Sequence, residues 1–466
     1  MTRKLPEYID VIVVGSGFAG LAAAIEAAEA GASVLVVEKM MAPGGNSLIS
    51  DGGIAAPNTE LQQKSGIKDS PELMAGDMIA AGEGLNYPSL VKKVAREANS
   101  AFCWSRDYVG VKYRERVDLF SGHSVARCYS PLELSGRALI EGMLACLKRL
   151  EVPVFLGLSA TTLHQGNSGK VTGLSLQETA QVKKLSRAST REIGVNKGVI
   201  VASGGFGSDV SFRQAQDPRL GAAVMSTNRR SATAEFLKEC LRIGANPVQL
   251  SRIQLGPWAS PDEKGYGLGP HFGDYLALPY GIIIDPATGS RFTNELGNRK
   301  ELSDAILDRG HPVIGITDRS SIDKAGWDIS RGLSKGVVKE FDSIPAMAGY
   351  FGIDAASMGN TMAKFSTMVK AGKDSDFEKP ILVNASTFEK PPFFAMRMWP
   401  KVHHTMGGLQ IDGLARAINL NQEVINGLYA AGEVTGGIHG ACRLGSCAIT
   451  ECLVFGRIAG LSAASA

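Results

Sequence analysis

Residues 10–20 read DVIVVGSGFAG, and this stretch decides the fold because a short apolar strand runs directly into a glycine-rich turn. The segment DVIVV is β-branched and apolar, which is typical of a strand buried in a parallel sheet. The alanine-rich segment 18–30 predicts a helix, and residues 32–37 (ASVLVV) predict a second strand. The chain therefore begins with a strand–turn–helix–strand unit of the α/β class.

The turn has the pattern G-x-G-x-x-G, and each of its glycines has a physical role. Gly15 makes the tight turn, Gly17 lets the backbone approach a pyrophosphate, and Gly20 lets the helix pack closely on the strand. The helix N-terminus directs free amides and the positive end of its dipole at the phosphates. Glu38 ends the second strand, where a carboxylate accepts hydrogen bonds from ribose hydroxyls. This combination predicts a bound dinucleotide.

Three further glycine-rich segments indicate which dinucleotide is bound: residues 40–55 (MMAPGGNSLISDGGIA), 197–207 (KGVIVASGGFG) and 426–437 (NGLYAAGEVTGG). Together with the first turn they resemble the glutathione-reductase-type, Rossmann-like FAD fold. That resemblance implies non-covalent FAD rather than NAD, and a discontinuous domain, because the last segment returns to the first one in space. The predicted cofactor-binding residues lie on these turns or in the C-terminal segment: Gly15, Gly17, Ala19, Gly20, Glu38, Lys39, Gly45, Asn46, Ser47, Gly52, Gly53, Ser203, Gly204, Gly205, His404, Gly432, Glu433, Arg443, Ser446, Ala448 and Ile449.

Composition and charge narrow the classes of partner. The net charge of the 466 residues is +3, which gives no indication of nucleic acid or an anionic membrane as partner. No apolar run is long enough to span a bilayer, and the N-terminus lacks the apolar core of a secretory signal. We therefore expect a cytoplasmic protein if the chain begins at its natural Met, although a mature form cut from a longer precursor would look the same. The 7 cysteines are scattered and include no C-x-x-C pair, so they indicate neither a disulfide framework nor a metal site.

Three motifs carry a more specific resemblance, which covers almost the whole chain. They are RFTNE at 291–295 followed by Arg299, HHTMGG at 403–408, and GACRLG at 440–445. With the FAD segments, they resemble the flavoprotein of the fumarate reductase and succinate dehydrogenase superfamily. The likeness is greatest to the soluble branch that includes flavocytochrome fumarate reductase and urocanate reductase, here without a haem domain. It implies a smaller α+β clamp domain inserted into the FAD domain.

The predicted domain boundaries follow this likeness. Residues 1–251 form the first part of the FAD-binding domain, including an antiparallel β-meander at 154–194. Residues 252–390 form the clamp domain, which carries Arg299 and closes over the flavin to exclude water. Residues 391–466 complete the FAD-binding domain.

A site that reduces a C=C bond beside a carboxylate needs cations around that carboxylate, because negative charge builds up there as hydride arrives. Arg443 can grip a carboxylate through two parallel hydrogen bonds, and His403 adds a second donor. By the resemblance, Arg299 gives a proton to the neighbouring carbon, and His404 lies closer to the flavin. The free pKa of arginine, above about 12, makes it a weak acid, but the nascent carbanion is far more basic. We therefore predict hydride from flavin N5 and a proton from Arg299, with Arg299, His403 and Arg443 as the catalytic residues.

The chain departs from the fumarate reductase pattern where the second carboxylate of fumarate is bound. In residues 253–258 (IQLGPW), Gly256 stands where the family has a histidine. Residues 273–277 (GDYLA) align with a Thr-Glu-x-x-Arg motif of the family. Gly273 replaces its Thr, Asp274 replaces its Glu, and Ala277 replaces its relay arginine. A second carboxylate would lack partners there and would be repelled by Asp274. We therefore expect a substrate other than fumarate.

Aromatic residues near these positions indicate a larger or apolar far end of the substrate. The candidates are Trp258, Tyr275 and Tyr280, and an aryl- or imidazolyl-acrylate such as urocanate fits them. Urocanate reductases resemble this chain in placing an Asp near position 274, where it could bind an imidazole N–H. Tyr275, Tyr280 or Asp274 could replace the missing relay. His123 lies in a loop that resembles a family loop near the far pole, and it is a further candidate there.

Two other functions stay open. One is an FAD-dependent dehydrogenase that runs in the oxidative direction, of the ketosteroid or tricarballylate type. The other is a non-catalytic flavin subunit that transfers electrons. A ketosteroid would not need Arg443 and His403 as a carboxylate clamp, and Arg299 argues against pure electron transfer, so reduction is favoured. The electron donor stays open among a separate cytochrome, a flavin reductase and free reduced flavin.

Overall fold

The structure is a computed structural model that describes residues 4–179 and 190–466. One part of the predicted β-meander, residues 180–189, lies outside the described residues. The strands are β1 Tyr8–Val14, β2 Val34–Glu38, β3 Ile54–Ala55, β4 Cys128–Tyr129, β5 Val154–Leu156, β6 Leu158–Gln165, β7 Val171–Glu178, β8 Thr190–Val201, β9 Pro247–Val248, β10 Ile253–Gly256, β11 Ile282–Ile284, β12 Val313–Asp318, β13 Lys339–Phe341, β14 Phe393–Met398, β15 Lys401–Thr405, β16 Gly408–Leu409, β17 Arg416–Ile418 and β18 Val424–Ala430. The helices are α1 Phe18–Glu29, α2 Gly45–Ile49, α3 Glu60–Lys64, α4 Pro71–Ala81, α5 Pro88–Asp107, α6 Arg137–Arg149, α7 Val210–Gln216, α8 Glu235–Arg242, α9 Gly269–Phe272, α10 Leu278–Tyr280, α11 Arg299–Leu307, α12 Arg319–Ala325, α13 Ser330–Ser334, α14 Ile344–Phe351, α15 Ala355–Ala371 and α16 Cys447–Ala464, with a π-helical turn at Gly273–Ala277.

The larger sheet is built around the first strand. Its order is β17-β18-β8-β1-β2-β5, with β7 also paired to β8 and β6 paired to β7. Strand β1 pairs in parallel with β2 and β8, and β8 pairs in parallel with β18. Residues 11–14 are buried, which explains why this strand is apolar without alternation. The predicted α/β fold is confirmed, and the late segment, which begins in β18, does return to the first sheet.

A smaller antiparallel sheet has the order β11-β12-β14-β13. It has its own apolar core, in which Ile282, Ile314 and Phe365 are buried. Helix α11, with Arg299 as its first residue, follows β11 and begins at the cap residue Asn298, whose side chain accepts from the amides of Lys300 and Glu301. This is the α+β unit that the sequence predicts between the two parts of the FAD fold.

Strand pairing also bears on the boundary of this smaller unit. Strand β14 pairs with β12 over six residues, from Val313 opposite Met398 to Asp318 opposite Phe393. The boundary predicted between residues 390 and 391 would separate β14 from its own sheet. We therefore propose that the clamp domain extends through Met398. The next strand, β15, pairs with β10 and so connects the clamp to the FAD-binding part.

The motif RFTNE forms a buried ion network inside the smaller unit. The Arg291 guanidinium donates to Glu295 Oε1 at 2.8 Å, to Glu295 Oε2 at 2.7 Å and to Asp374 Oδ2 at 2.7 Å. Lys379 Nζ lies 3.5 Å from Glu295 Oε2, and burial lowers the pKa of Lys379 to about 8. Because Glu295 also accepts from the amide of Ile283 on β11, the network fixes the loop before α11 to the sheet.

Replacing Arg291 with alanine is expected to lower the free energy of unfolding by about 3–5 kcal/mol, because Glu295 and Asp374 lose their buried guanidinium partner. The matched control is Lys370→Ala, since Lys370 pairs with Glu389 at 2.6 Å on the surface. That exposed pair should contribute less than about 1 kcal/mol. Urea unfolding followed by circular dichroism measures both variants. Equal unfolding midpoints for the two variants would contradict a stabilising role for the network.

Helix α16 completes the FAD-binding part. Among the described residues it is the one helix long and apolar enough to cross a membrane by length and composition. Most of it is buried in the protein, where it packs on α1 and α5. Its apolar character therefore accounts for core packing, because Leu453, Val454 and Phe455 are all buried.

Candidate active site

The glycine-rich turn after β1 has the geometry of a nucleotide cradle. Gly15 has φ +107°, and an added Cβ would lie 2.2 Å from the carbonyl oxygen of Ala202. An L-residue is therefore excluded there by conformation and by space. The turn borders a cavity of about 100 Å³ that is also lined by the ends of β2, β8 and β18. The sequence predicts that the glycine-rich segments at these strand ends meet in space, and the cavity lies where they meet.

Glu38 lies in this cradle with its carboxylate already oriented. It accepts from Ser16 Oγ at 2.6 Å, from the amide of Ser16 at 3.2 Å and from the amide of Met40 at 2.9 Å. The next residue, Lys39, donates to Thr233 Oγ1 at 2.7 Å and to Glu235 Oε2 at 2.9 Å. The carboxylate is thus held at the end of β2, where a ribose would lie.

A second cavity of about 130 Å³ adjoins the first and shares Asn46, Ser47 and Glu433 with it. Of the predicted cofactor-binding residues, Gly20 and Gly52 line neither cavity, because Gly20 packs on Gly15 and Gly52 lies against Pro131. Those that line the first cavity are Gly15, Gly17, Ala19, Glu38, Lys39, Gly45, Asn46, Ser47, Ser203, Gly204, Gly205, Gly432 and Glu433. Those that line the second are Asn46, Ser47, Gly53, His404, Glu433, Arg443, Ser446, Ala448 and Ile449.

The groups that line the two cavities suit FAD in their chemistry, from the Glu38 carboxylate to the Arg443 guanidinium. At Gly205, an added Cβ would lie 2.3 Å from both Glu433 Oε1 and Thr405 Oγ1, so that turn has no room for a side chain. Burial raises the pKa of Glu433, whose carboxylate accepts from the amide of Thr405 at 3.0 Å. Backbone amides along this path are donors of the kind that a pyrophosphate requires. The fixed carboxylates are acceptors of the kind that ribose and ribityl hydroxyls require.

The three predicted catalytic residues all line the second cavity, although they come from different elements. Arg299 begins α11, His403 lies on β15, and Arg443 lies in the loop before α16. Three buried N–H groups of the cavity side chains have no hydrogen-bond partner among the described residues: Arg299 Nε, Arg443 Nε and Trp258 Nε1. Since unpaired buried donors are costly, the cavity fits a ligand that accepts hydrogen bonds.

Arg443 is a buried cation without an anionic partner. Its guanidinium donates to the carbonyl oxygen of Leu444 at 3.0 Å, and no salt bridge among the described residues includes it. Burial lowers its pKa to about 10, with a further contribution from the charge of Arg299. An unpaired buried charge is strongly unfavourable. A ligand anion bound beside Arg443 would compensate this charge.

Arg299 differs because it already has a carboxylate partner. Its Nη2 donates to Asp274 Oδ2 at 2.9 Å, and both side chains are about 95% buried. The guanidinium carbon also lies 5.5 Å from the centre of the Trp258 ring. Burial raises the pKa of Asp274, and the charge of Arg299 opposes that shift. The Arg299–Asp274 pair is electrically balanced, whereas Arg443 is not.

The adjacent histidines on β15 point to different parts of the site. His403 Nδ1 lies 2.9 Å from Thr227 Oγ1, and its ring packs edge-on against Trp258 at 4.7 Å between ring centres. His404 Nδ1 lies 3.5 Å from Glu433 Oε1. Burial, followed by the charge of Arg443, lowers the pKa of both histidines well below 6.5. Both are therefore neutral at pH 7 and act as hydrogen-bonding groups rather than cations.

The cavity lining also includes aromatic and acidic side chains. Trp258, Tyr266 and Phe120 provide aromatic surface, and Asp274 and Asp51 provide carboxylates. Trp258 and Tyr266 pack edge-to-face, with ring centres 5.6 Å apart. Sequence reasoning did not identify Asp51, Tyr266, Phe120 or Thr227. Of these four residues, only Asp51 was marked by the sequence, because it directly precedes the glycine pair at 52–53 within the segment 40–55.

Three of the predicted far-pole candidates do not line the cavity. An added Cβ on Gly256 would lie 3.0 Å from the Trp258 ring, so the indole already fills the space in front of Gly256. Tyr275 does not line the cavity, and its hydroxyl donates to Asp51 Oδ2 at 2.8 Å. Tyr280 is also absent from the lining. Of the predicted far-pole residues, Trp258 and Asp274 are the ones that face the cavity.

His123 is also placed away from the cavity, because both of its ring nitrogens are engaged in the protein. Nε2 donates to the carbonyl oxygen of Gly445 at 2.9 Å, and Nδ1 accepts from Arg127 at 3.1 Å. Arg127 is in turn paired with Asp69 at 2.9 Å and with Asp77 at 2.5 Å. Burial lowers the pKa of His123 to about 4, so it is neutral. It supports the loop that carries Arg443 from behind.

This fold and this cavity define an FAD-dependent oxidoreductase. The chain matches the family model described as FAD binding domain over residues 10–449, and it belongs to that family. It is similar to the acrylate reductase flavoprotein subunit of Shewanella woodyi, at 40% identity over 463 residues, 98% of this chain and 91% of that protein. It is 34% identical over 469 residues to a urocanate reductase of Eggerthella lenta, covering 98% of this chain and 75% of that protein.

A solved structure has the same architecture. The open conformation of a flavocytochrome c3 fumarate reductase matches with a TM-score of 0.76 and 29% identity, over 98% of this chain and 78% of that one. The predicted likeness to the soluble fumarate reductase-like branch is thereby confirmed. So are the cofactor, FAD, and the class of enzyme.

Proposed function

We propose that this enzyme reduces the C=C bond of an α,β-unsaturated monocarboxylate. The observation that carries the proposal is Arg443, a buried cation with no anionic partner among the described residues, beside the balanced pair of Arg299 and Asp274. With both histidines neutral, Arg443 is the one charged donor of the cavity lining that makes no salt bridge among the described residues. A single carboxylate compensates that charge. The names of the related acrylate and urocanate reductases support the same class of substrate.

The roles of the residues follow from their positions. FAD, when bound, supplies a hydride to the carbon β to the carboxylate. Arg443 and His403 hold the carboxylate and stabilise the negative charge that develops on it. Arg299 gives its proton to the α-carbon, so that hydride and proton together saturate the bond. Asp274 orients Arg299 through their 2.9 Å hydrogen bond and lies where it can return a proton to the guanidine.

The far end of the cavity argues against a dicarboxylate such as fumarate. A second carboxylate would lie near Asp274 and Asp51, whose charges repel it. Of the two arginines near them, Arg299 is already paired with Asp274, and Arg443 is assigned to the first carboxylate. By contrast, Trp258 and Tyr266 offer apolar and aromatic contact to a hydrogen or an apolar group on the β-carbon. We therefore propose substrates that range from acrylate to aryl- or imidazolyl-acrylates, with acrylate as the common core.

Two alternatives, a ketosteroid dehydrogenase and a subunit that only transfers electrons, lack support from these contacts. A ketosteroid has no carboxylate, so an oxidative enzyme of that type would leave Arg443 buried without an ionic partner. A subunit that only transfers electrons would not need a second buried arginine paired with Asp274 beside the flavin site. A separate protein as electron donor is supported by the name of the Shewanella woodyi relative, which is a flavoprotein subunit.

A substrate panel tests the proposal. The holoenzyme, reduced by a viologen dye, would be assayed with acrylate, cinnamate, urocanate and fumarate at equal ionic strength. We expect kcat/KM of the best monocarboxylate to exceed that of fumarate by at least about a hundredfold, since an unpaired buried charge costs several kcal/mol. A kcat/KM for fumarate equal to or above that of all three monocarboxylates would contradict the proposal.

A further inference from the structure

We infer that Thr227 is a positioning residue that sets the tautomer of His403, so that its Nε2–H faces the substrate carboxylate. The inference rests on the proposed function for the identity of the anion. Thr227 lies in the loop between α7 and α8, next to the single β-bridge that Ser226 makes with Val402 of β15, and its Oγ1 is 2.9 Å from His403 Nδ1. Both residues line the second cavity. Within the described residues, His403 Nε2 makes no hydrogen bond.

A neutral imidazole has one N–H, and the two nitrogens are therefore not equivalent. The ring of His403 lies in a cavity with two guanidinium groups, those of Arg299 and Arg443, which disfavour a positive imidazolium. If the proton is on Nδ1, the lone pair of Nε2 faces the cavity and repels a carboxylate. If the proton is on Nε2, the ring donates to that carboxylate. Whether His403 can donate to the carboxylate thus depends on whether the Thr227 hydroxyl donates a hydrogen bond to Nδ1 or accepts one from it.

The hydrogen bonds to the Val402 carbonyl oxygen decide which acceptor the Thr227 hydroxyl donates to. The hydroxyl has two acceptors in reach, His403 Nδ1 at 2.9 Å and the carbonyl oxygen of Val402 at 3.3 Å. That carbonyl already accepts from the Thr227 amide at 2.9 Å, from Ser226 Oγ at 3.2 Å and from Asn228 Nδ2 at 3.3 Å. Since a carbonyl oxygen has two lone pairs, these three donors satisfy it. The Thr227 hydroxyl is therefore free to donate to Nδ1, which leaves the proton on Nε2.

The neighbouring contacts hold this arrangement in place. The edge-on packing of Trp258 on the His403 ring, at 79° between the ring planes, restricts rotation of the imidazole. The side chain of Asn228 donates to the backbone carbonyl of His403 at 3.1 Å and ties the segment of Thr227 to β15. Together with Arg443, the Nε2–H gives a carboxylate donors from two sides. Binding then needs no change of tautomer.

The test compares Thr227→Val, which keeps the shape and loses the hydroxyl, with Thr227→Ser, which keeps the hydroxyl. In holoenzyme labelled with ¹⁵N-histidine, His403→Gln would assign the resonances of His403. We expect Nδ1 to be the unprotonated nitrogen in the wild type and in Thr227→Ser, and a mixture of tautomers in Thr227→Val. For acrylate, KM should rise about tenfold in Thr227→Val, with a smaller change in kcat and normal values in Thr227→Ser.

The outcomes separate this inference from the proposed function. An unprotonated Nε2 in the wild type, or the same tautomer in all three proteins, would overturn the inference. The NMR result needs no turnover, so it holds even if no acrylate is reduced. Titration with propanoate, followed by the flavin difference spectrum, measures carboxylate binding without chemistry. Weaker propanoate binding in Thr227→Val than in Thr227→Ser supports the inference, and equal binding contradicts it.

Discussion

Replacing Arg299 with alanine is expected to lower kcat by about three to four orders of magnitude while the protein keeps its FAD. The reason is that Arg299 is the proton donor of the proposed reaction, and the other arginine of the described cavity lining, Arg443, is assigned to the substrate carboxylate. Steady-state turnover of acrylate with a viologen donor gives kcat, and the visible spectrum of the purified protein gives the FAD content.

Loss of Arg299 also leaves Asp274 buried without its partner, which by itself disturbs the site. The control is the double variant Arg299→Gln with Asp274→Asn, which removes both charges of the pair and keeps its shape. We expect that variant to fold with FAD and to be as inactive as Arg299→Ala. If either variant retained kcat within about tenfold of the wild type, Arg299 would not be the proton donor.

Replacing Arg443 with glutamine is expected to lower kcat/KM for acrylate about a thousandfold, the equivalent of about 4 kcal/mol, mostly through KM. Arg443 supplies a positive charge that makes no salt bridge with a carboxylate of the described residues. Its loss removes a charge-assisted contact to the substrate carboxylate in a buried site. Initial rates over a wide range of acrylate concentrations separate the effects on KM and kcat.

The conservative variant Arg443→Lys serves as the control for this position. Lysine keeps the charge but cannot make two parallel hydrogen bonds, so we expect an intermediate loss. Arg443 also borders the predicted flavin site, and the FAD content of both variants must therefore be measured. An unchanged KM for acrylate in an Arg443→Gln protein that is fully loaded with FAD would show that the carboxylate binds elsewhere.

Much of the fold was predictable because its decisive features are local in sequence. The turn at Gly15 needs a positive φ and a missing Cβ, and both requirements are visible as a glycine between an apolar strand and a helix. The return of β18 to the first sheet was predictable from its glycine-rich end. The clamp boundary was less predictable, since the pairing of β14 with β12 depends on a partner far away in the chain.

The site was predictable where a residue's role follows from its chemistry. Arg299, His403 and Arg443 carry charge or donors that a carboxylate needs, and the structure brings them to one cavity. Side-chain direction was not predictable from position in a motif. Gly256 has the place of a histidine, but the indole of Trp258 occupies the space in front of it. His123 is turned away because Arg127 engages its ring.

Some residues of the cavity had no distinguishing signal in the sequence. Thr227 and Tyr266 are common residue types in segments without a motif, and only the packing of β15 and Trp258 brings them to the site. Asp51 is hydrogen bonded to Tyr275, whose position was predicted but whose direction was not. Contacts of this kind depend on the tertiary arrangement of both domains and not on local sequence.

The most direct test of the account is a single turnover without any electron donor. The FAD-loaded protein would be reduced with dithionite, freed of excess reductant and mixed anaerobically with acrylate in a stopped-flow spectrometer. We predict that the flavin is reoxidised and that propanoate appears in an amount equal to the flavin. If the flavin stays reduced with acrylate, cinnamate and urocanate, yet is reoxidised by ferricyanide, the proposed reduction of unsaturated monocarboxylates is contradicted.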